Sequence, residues 1–561
     1  MRKILCLVLS AVLLGTVATS AVQAEMKPVA TVSFAGIHRL LANLDMLAQL
    51  GALKNFNKER ATANGFDGMD PARSWTFVLL ANGSRSARCV YLPIANFEKF
   101  FEVIQRQQPQ LSVRFKRKLT GDIYEFETSS QTVYLQRKGD WAVVTDSKDN
   151  LATAPADPLK LGGDMPKDYD LAARVSVQNI PAEYREQAIA AVRTAIESGA
   201  ARMPSVTDAD QAVRTEAVDQ SVRKINQLFD DLDNVVLGWH IDPGKNTMRL
   251  DLDMTAKPGT KLAKQFAVMK PGKTDFAGFL VPEAVLNINW SHAFSDADVA
   301  EGRRKLAATR KATLAHLTDE GLSDDETKLA SRLIGDIFDV FEKTLCSKKS
   351  DGGLAVLLDH GSSAVIAGIT ISDSAKLEKV LRQIVDELKT SEPDVAKLVK
   401  LDAETYQGVR FHTMTLPTPH EELKPWVGDT LEVAVGITDG KLMLAAGTDA
   451  VGRLKTAIDQ SAVEPGKDVP ALQITTCVST ILKLALANTK DRMVKTPIEA
   501  SFAMLEQAAG QDHVQLTANG TPNGVCIRME FEEGLLKTLC GMSTSVTSMM
   551  PPGGMPENSD N

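Results

Sequence analysis

The sequence is poor in the residues that build compact reactive centres. It holds 8 histidines, 6 cysteines, 5 tryptophans and 6 tyrosines in 561 residues. The histidines (His38, His240, His292, His316, His360, His412, His420 and His513) are dispersed. No His-Glu-x-x-His, Cys-x-x-Cys or His-x-His occurs, which excludes a zinc site of familiar local spacing. Gly-x-Ser-x-Gly, Gly-x-x-x-x-Gly-Lys and Gly-x-Gly-x-x-Gly are absent too, and with them the local signatures of a nucleophile elbow, a phosphate loop and a dinucleotide turn. His360-Gly361-Ser362-Ser363 has the look of a nucleophile turn, but it sits where a hairpin loop is expected. No catalytic residue, metal ligand or cofactor site is assigned from sequence, and the expectation leans away from an enzyme.

Excess basic charge is also missing. Lys and Arg number 63 against 71 Asp and Glu, a formal net charge of −8. Nucleic acid and anionic membrane both require concentrated positive charge, so neither is expected as a partner. Long hydrophobic runs are absent after the N-terminus. Residues 1–24 read as a secretory signal peptide: Arg2 and Lys3, an apolar stretch, then Val22-Gln23-Ala24 as a small-residue cleavage site. The apolar stretch is about 12 residues where a bilayer span needs roughly 20. The mature chain is therefore expected to be exported, periplasmic or extracellular, bacterial in type, and without a transmembrane anchor.

Losing Cys6 with the leader leaves Cys89, Cys346, Cys477, Cys526 and Cys540. An odd count over so long a chain is no disulfide framework.

What is present is repetition. A β-type run (29–34), a helical stretch (38–64), a strand pair (75–81, 88–94), a helix (96–107) and a strand (113–119) follow in the order of a ferredoxin-like unit. Related patterns begin near residues 171, 284 and 471. Helical pairs at 181–203 with 212–232, and at 296–317 with 324–345, precede the hairpins of the second and third copies. Ser323 with Glu326 forms a capping box.

The first and third copies each carry additional strands, at 122–145 and 408–446. The expected fold is therefore α+β: four tandem ferredoxin-like (β-α-β-β-α) units in two homologous halves, the first unit of each half extended by an extra antiparallel strand block. The halves are 25–271 (units 27–155 and 168–271) and 272–545 (units 276–460 and 468–545), with a disordered tail at 546–561.

Two expectations about faces follow. In the second copy Met248, Leu250, Leu252 and Met254 alternate with Arg249, Asp251 and Asp253, the pattern of a sheet with one wet face. In the first and third copies both faces are apolar, so the added strands are expected to cover the second. Trp239, His240, Trp290 and His292 are candidate ligand-binding residues, as aromatics on an open sheet face. The structural role of a buried tryptophan is the commoner one. In a ferredoxin-like sheet the third strand lies beside the first, which makes Cys477–Cys526 a candidate disulfide.

The functional expectation is a non-enzymatic binding or scaffolding protein of the cell envelope or extracellular space, its partner a protein or an apolar small molecule. A carrier of an apolar ligand such as a lipid, or a hydrolase with a site between repeats, are the alternatives.

Overall fold

The computed structural model describes residues 26–50, 66–83, 85–107, 113–128, 131–201, 208–319, 323–489, 491–506 and 510–538. The signal segment 1–24, the tail 546–561, Cys540 and the 51–64 part of the 38–64 helical stretch lie outside them. The chain divides into two compact units, 1–262 with 532–561, and 263–531.

The first unit is organised by ten strands: β1 (Lys27–Phe34), β2 (Trp75–Asn82), β3 (Arg85–Pro93), β4 (Val113–Leu119), β5 (Ile123–Thr128), β6 (Thr132–Lys138), β7 (Trp141–Thr145), β8 (Leu171–Ser176), β9 (Leu232–Asp242) and β10 (Thr247–Ala256). They form one antiparallel sheet in the order β4-β5-β6-β7-β3-β2-β1-β8-β9-β10.

In the second unit, besides a short ladder of Gly272–Thr274 with Lys467–Val469, the strands of the large sheet are β11 (Leu286–Ala293), β12 (Lys349–Leu357), β13 (Ala364–Thr370), β14 (Val399–Tyr406), β15 (Val409–Pro417), β16 (Thr430–Thr438), β17 (Lys441–Gly447), β18 (Leu472–Cys477), β19 (His513–Thr521) and β20 (Gly524–Phe531). Their antiparallel order is β14-β15-β16-β17-β13-β12-β11-β18-β19-β20. Offset by ten, the two orders match strand for strand.

This overturns the four ferredoxin-like units. The chain is a large sheet-rich α+β fold in which large and small blocks share one sheet. In a ferredoxin-like unit one helix crosses between the first two strands, and the third strand inserts beside the first. Here β1 pairs directly with β2, β8 with β9, β11 with β12 and β18 with β19. The connection explains it in three of the four cases. Two helices separate the strands: α4 (Ala182–Ala201) and α5 (Asp208–Asp231) after β8, α6 (Asp296–Asp319) and α7 (Asp324–Cys346) after β11, and α10 (Val478–Asn488) and α11 (Arg492–Glu506) after β18. One helix carries the chain to the far end of the sheet, giving a parallel neighbour. A second helix brings it back, so the next strand enters antiparallel.

The remaining helices build the cores. α1 (Ile37–Gln49) and α2 (Phe97–Arg106) contribute Ile37, Leu41 and Phe100 to a cluster with Trp75, Val90, Leu92, Phe126 and Leu135. Asn96 caps α2 by accepting from the Lys99 N–H at 3.0 Å, a placement worth about 1 kcal/mol.

Contrary to the expectation from sequence, the added strands do not cover the second face. They extend the same sheet, β7 joining β3 and β17 joining β13. The second face is covered instead by helix and turn. In the first unit α3 (Lys148–Thr153) supplies Leu151 to a cluster of Val78, Leu80, Cys89, Tyr91 and Val143. In the second, α9 (Ala450–Val463) and the turn bearing Phe276 and Phe279 cover Ala355, Ile366, Phe411 and Ala445. α8 (Ser374–Ser391) puts Leu377 and Leu381 against Ile371 and Ile437 on the opposite face. Among the described residues no helix is long and apolar enough to cross a membrane.

Candidate functional site

The sheet leaves an apolar face incompletely covered. In β8–β10 the register stacks Leu171, Trp239 and Leu250 in one row, Ala173, Leu237 and Leu252 in the next, then Val175, Val235 and Met254. None of the nine is buried, and Leu237 is 55% exposed. In the second unit Ile474, Ile288, Leu354, Ala367 and Leu444 form one row across five strands. None of them is buried either, and Val365 and Leu444 are each exposed by more than two-fifths.

The alternating residues behave in the reverse of the usual way. Asp251, Asn287, Asn289, Ser291 and Asp351 are the buried ones, with Asn289 wholly inaccessible. Leu250, Leu252, Leu286, Ile288 and Trp290 between them are half-open. Hydrogen bonds offset much of the cost of burying the polar set, although Asn289 Oδ1 and Asp351 Oδ1 have no partner among the described residues. Asn287 accepts from the Val281 N–H at 2.9 Å and donates to its carbonyl at 2.8 Å. Asn289 donates to the Gly352 carbonyl at 3.0 Å, Ser291 to that of Lys273 at 2.9 Å, and Asp351 accepts from the Asp275 N–H at 2.9 Å. Tyr169 donates to Asp251 at 3.2 Å and Asp253 at 2.9 Å. The wet face expected from the Arg249/Asp251/Asp253 alternation is therefore a packed face, and its apolar counterpart is the open one.

The four candidate ligand residues fall as two pairs, Trp239 and His240 in the first unit, Trp290 and His292 in the second. Trp239 lies in the open apolar rows of the first unit. Trp290 covers Gly352, its register partner; a Cβ there would meet the indole at 2.3 Å. His292 makes a 3.2 Å contact with the Ala471 carbonyl and an edge contact with Phe294.

His240 faces away from Trp239, into a polar cluster that sequence reading missed. The Asp170 side chain is fully buried and holds Arg39 at 2.6 Å, accepts from the Ile241 N–H at 2.7 Å, and lies 3.3 Å from His240 Nδ1. Arg39 reaches the same Nδ1 at 3.0 Å. Burial, then Arg249, push the imidazole below its ordinary pKa, and Asp170 opposes them. A neutral ring accepting from Arg39 fits this arrangement. Arg39 lies 201 residues from His240, so no local spacing announces the cluster.

A second cluster joins Glu378 of α8 to His412 of β15 and Asp402 of β14. His412 Nδ1 accepts from the Asp402 N–H at 3.1 Å, so the neutral ring carries its proton on Nε2, 4.0 Å from Glu378. Arg382 and Arg410 both bind Glu378. Burial raises the Glu378 pKa, but hydrogen bonds from Arg410 and then Arg382 outweigh it and hold the carboxyl below its usual range. The two guanidiniums supply the charge a cation would, so these three ligand types do not constitute a metal site.

A third group, Cys477, Asp512 and His513, brings its donor atoms within 4.8 Å of one another. The expected Cys477–Cys526 disulfide does not fit the fold. Cys477 opposes His513, and Cys526, one strand further, opposes Asn519. That leaves them two strands apart and about 20 Å out of register at 3.4 Å per residue. Cys89 is inaccessible, and burial followed by Asp146 pushes its thiol up to about 11.

Comparison with family models, curated proteins and solved structures finds no match for the chain.

Proposed function

We propose that this is an exported binding protein whose binding surface is the half-open apolar sheet face, and that its ligand is apolar, of the kind a lipid acyl chain presents. The inverted alternation carries this reading: the fold sequesters Asp251, Asn287, Asn289 and Ser291 while leaving Leu250, Leu252, Leu286, Ile288 and Trp290 accessible. Exposed apolar surface of this extent has a cost in water that an apolar ligand relieves. The signal-like residues 1–24 support the export reading. The matching strand orders support reading the two units as copies, each with its own apolar face.

Native mass spectrometry of protein purified from its own host is expected to show a co-purifying apolar molecule. Burying one leucine is worth about 1.5–3 kcal/mol, so L237D, and V365D with L444D, are expected to weaken binding of an apolar fluorophore about tenfold or more. An empty protein that binds no fluorophore, or binding indifferent to these substitutions, overturns the proposal.

A further inference from the structure

Cys477, Asp512 and His513 converge where the α10–α11 pair leaves the second unit's sheet, away from the open apolar face. Cys477 ends β18 and directly precedes α10. His513 begins β19 and is the register partner of Cys477, with Asp512 immediately before it. The Cys477 thiol donates to Asp512 Oδ2 at 3.3 Å, and His513 Nδ1 lies 3.8 Å from Asp512 Oδ1. Four-coordinate zinc, with bonds of about 2.0–2.3 Å, holds its ligand atoms roughly 3.3–3.8 Å apart. The Ser479 N–H donates to Asp512 Oδ2 at 2.9 Å, fixing the carboxylate as outer-shell partners fix metal ligands. Cys477 and His513 are half-buried and Asp512 buried, so an ion has a way in.

The first unit supplies an internal contrast. Ser176 ends β8, its register partner is Asn234, and Asp233 precedes that. The Ser176 hydroxyl bonds the Asn234 amide oxygen at 3.0 Å, and the Asn234 amide donates to Asp233 at 2.9 Å. That trio satisfies itself with hard, neutral groups and keeps one carboxylate. At the matched places the second unit has a thiol and an imidazole, the ligands that favour zinc-class ions.

We infer that Cys477, Asp512 and His513 bind one divalent cation of the zinc class. Thiolate, carboxylate and neutral imidazole are the three ligands, and the thiol proton is released to solvent as the sulfur–metal bond forms.

Co2+ titrated into the reduced full-length protein tests this, because a cobalt–thiolate bond gives a charge-transfer absorption. The expected result is saturation at one equivalent, displacement by Zn2+, loss of the band in C477S and its retention in C526S. H513Q should bind at least about tenfold more weakly. No band at excess Co2+, a band that persists in C477S, or an unchanged affinity in H513Q overturns the inference. Should C477S fail to fold, the H513Q comparison still decides it.

Discussion

Asp170 has no exposed side-chain surface, yet it sits between a guanidinium, an imidazole and a backbone amide. Removing Asp170 leaves the buried Ile241 N–H without its acceptor and the one-third-exposed Arg39 without its carboxylate, at a cost of about 1–3 kcal/mol. D170A is therefore expected to lower the urea midpoint by that equivalent, whereas L237D, at an exposed position, should stay within about 0.5 kcal/mol of the parent. The contrast separates the packed polar face from the open apolar one in a single experiment. Cysteine reactivity gives a second check. Cys89 is inaccessible with its thiol raised to about 11, and Cys346 is exposed. Mass mapping after brief alkylation of the folded protein should find Cys346 modified and Cys89 untouched until denaturant is added. The sequence located Cys89 on its strand. It could not say that Cys477 faces His513, because that juxtaposition depends on which strand lies beside which.

Elements differ in how much of their length the fold uses. α4 and α6 have no buried residue among those described, and Tyr184 and Val192 of α4 are exposed. α9, by contrast, buries Ala450, Leu454, Ala457 and Ile458. Helices without a buried face gain little from tertiary packing and open locally at low cost. Amide hydrogen exchange is expected to be fast along α4 and α6 and slow along α9, β1 and β11; equal protection would mean that these helices pack more firmly than their burial shows. The helices themselves were legible in the sequence, down to the Ser323–Glu326 capping box that the structure contains. Strand adjacency is the harder inference, yet its evidence lies in the sequence: the helical pairs at 181–203 with 212–232 and at 296–317 with 324–345 put an even number of helices between successive strands, which implies an antiparallel return.

At the scale of the whole molecule, buried ionisable groups set the pH response. His240 and His412 are both held below the ordinary histidine value, mainly by burial; Arg249 assists at His240, while Asp402 and Glu378 oppose at His412. As pH falls below about 6.5, the unfolded chain takes up protons that the folded one refuses, so stability declines toward the lower folded values. Glu378, Asp402 and Asp512, whose folded values are depressed, add a further loss when pH falls through the carboxylate range. Asp351, raised by burial, acts with the opposite sign.

Urea midpoints from about pH 7.5 to 5.5 should therefore fall toward acid, with a shallower slope in H412Q; a flat parent profile would contradict the buried-neutral assignment.

The sequence by itself determined the strands, the helical pairs, the shortage of local catalytic motifs and the presence of two faces on each strand, because these follow from periodicity and spacing along the chain. Tertiary structure alone decided which face is covered. Alternation marks two faces but not which one meets the rest of the protein: the turn with Phe276 and Phe279, the hydroxyl of Tyr169 and the carbonyls of Val281, Gly352 and Lys273 come from elsewhere in the chain, and they make burial of the polar face affordable while the apolar face stays open.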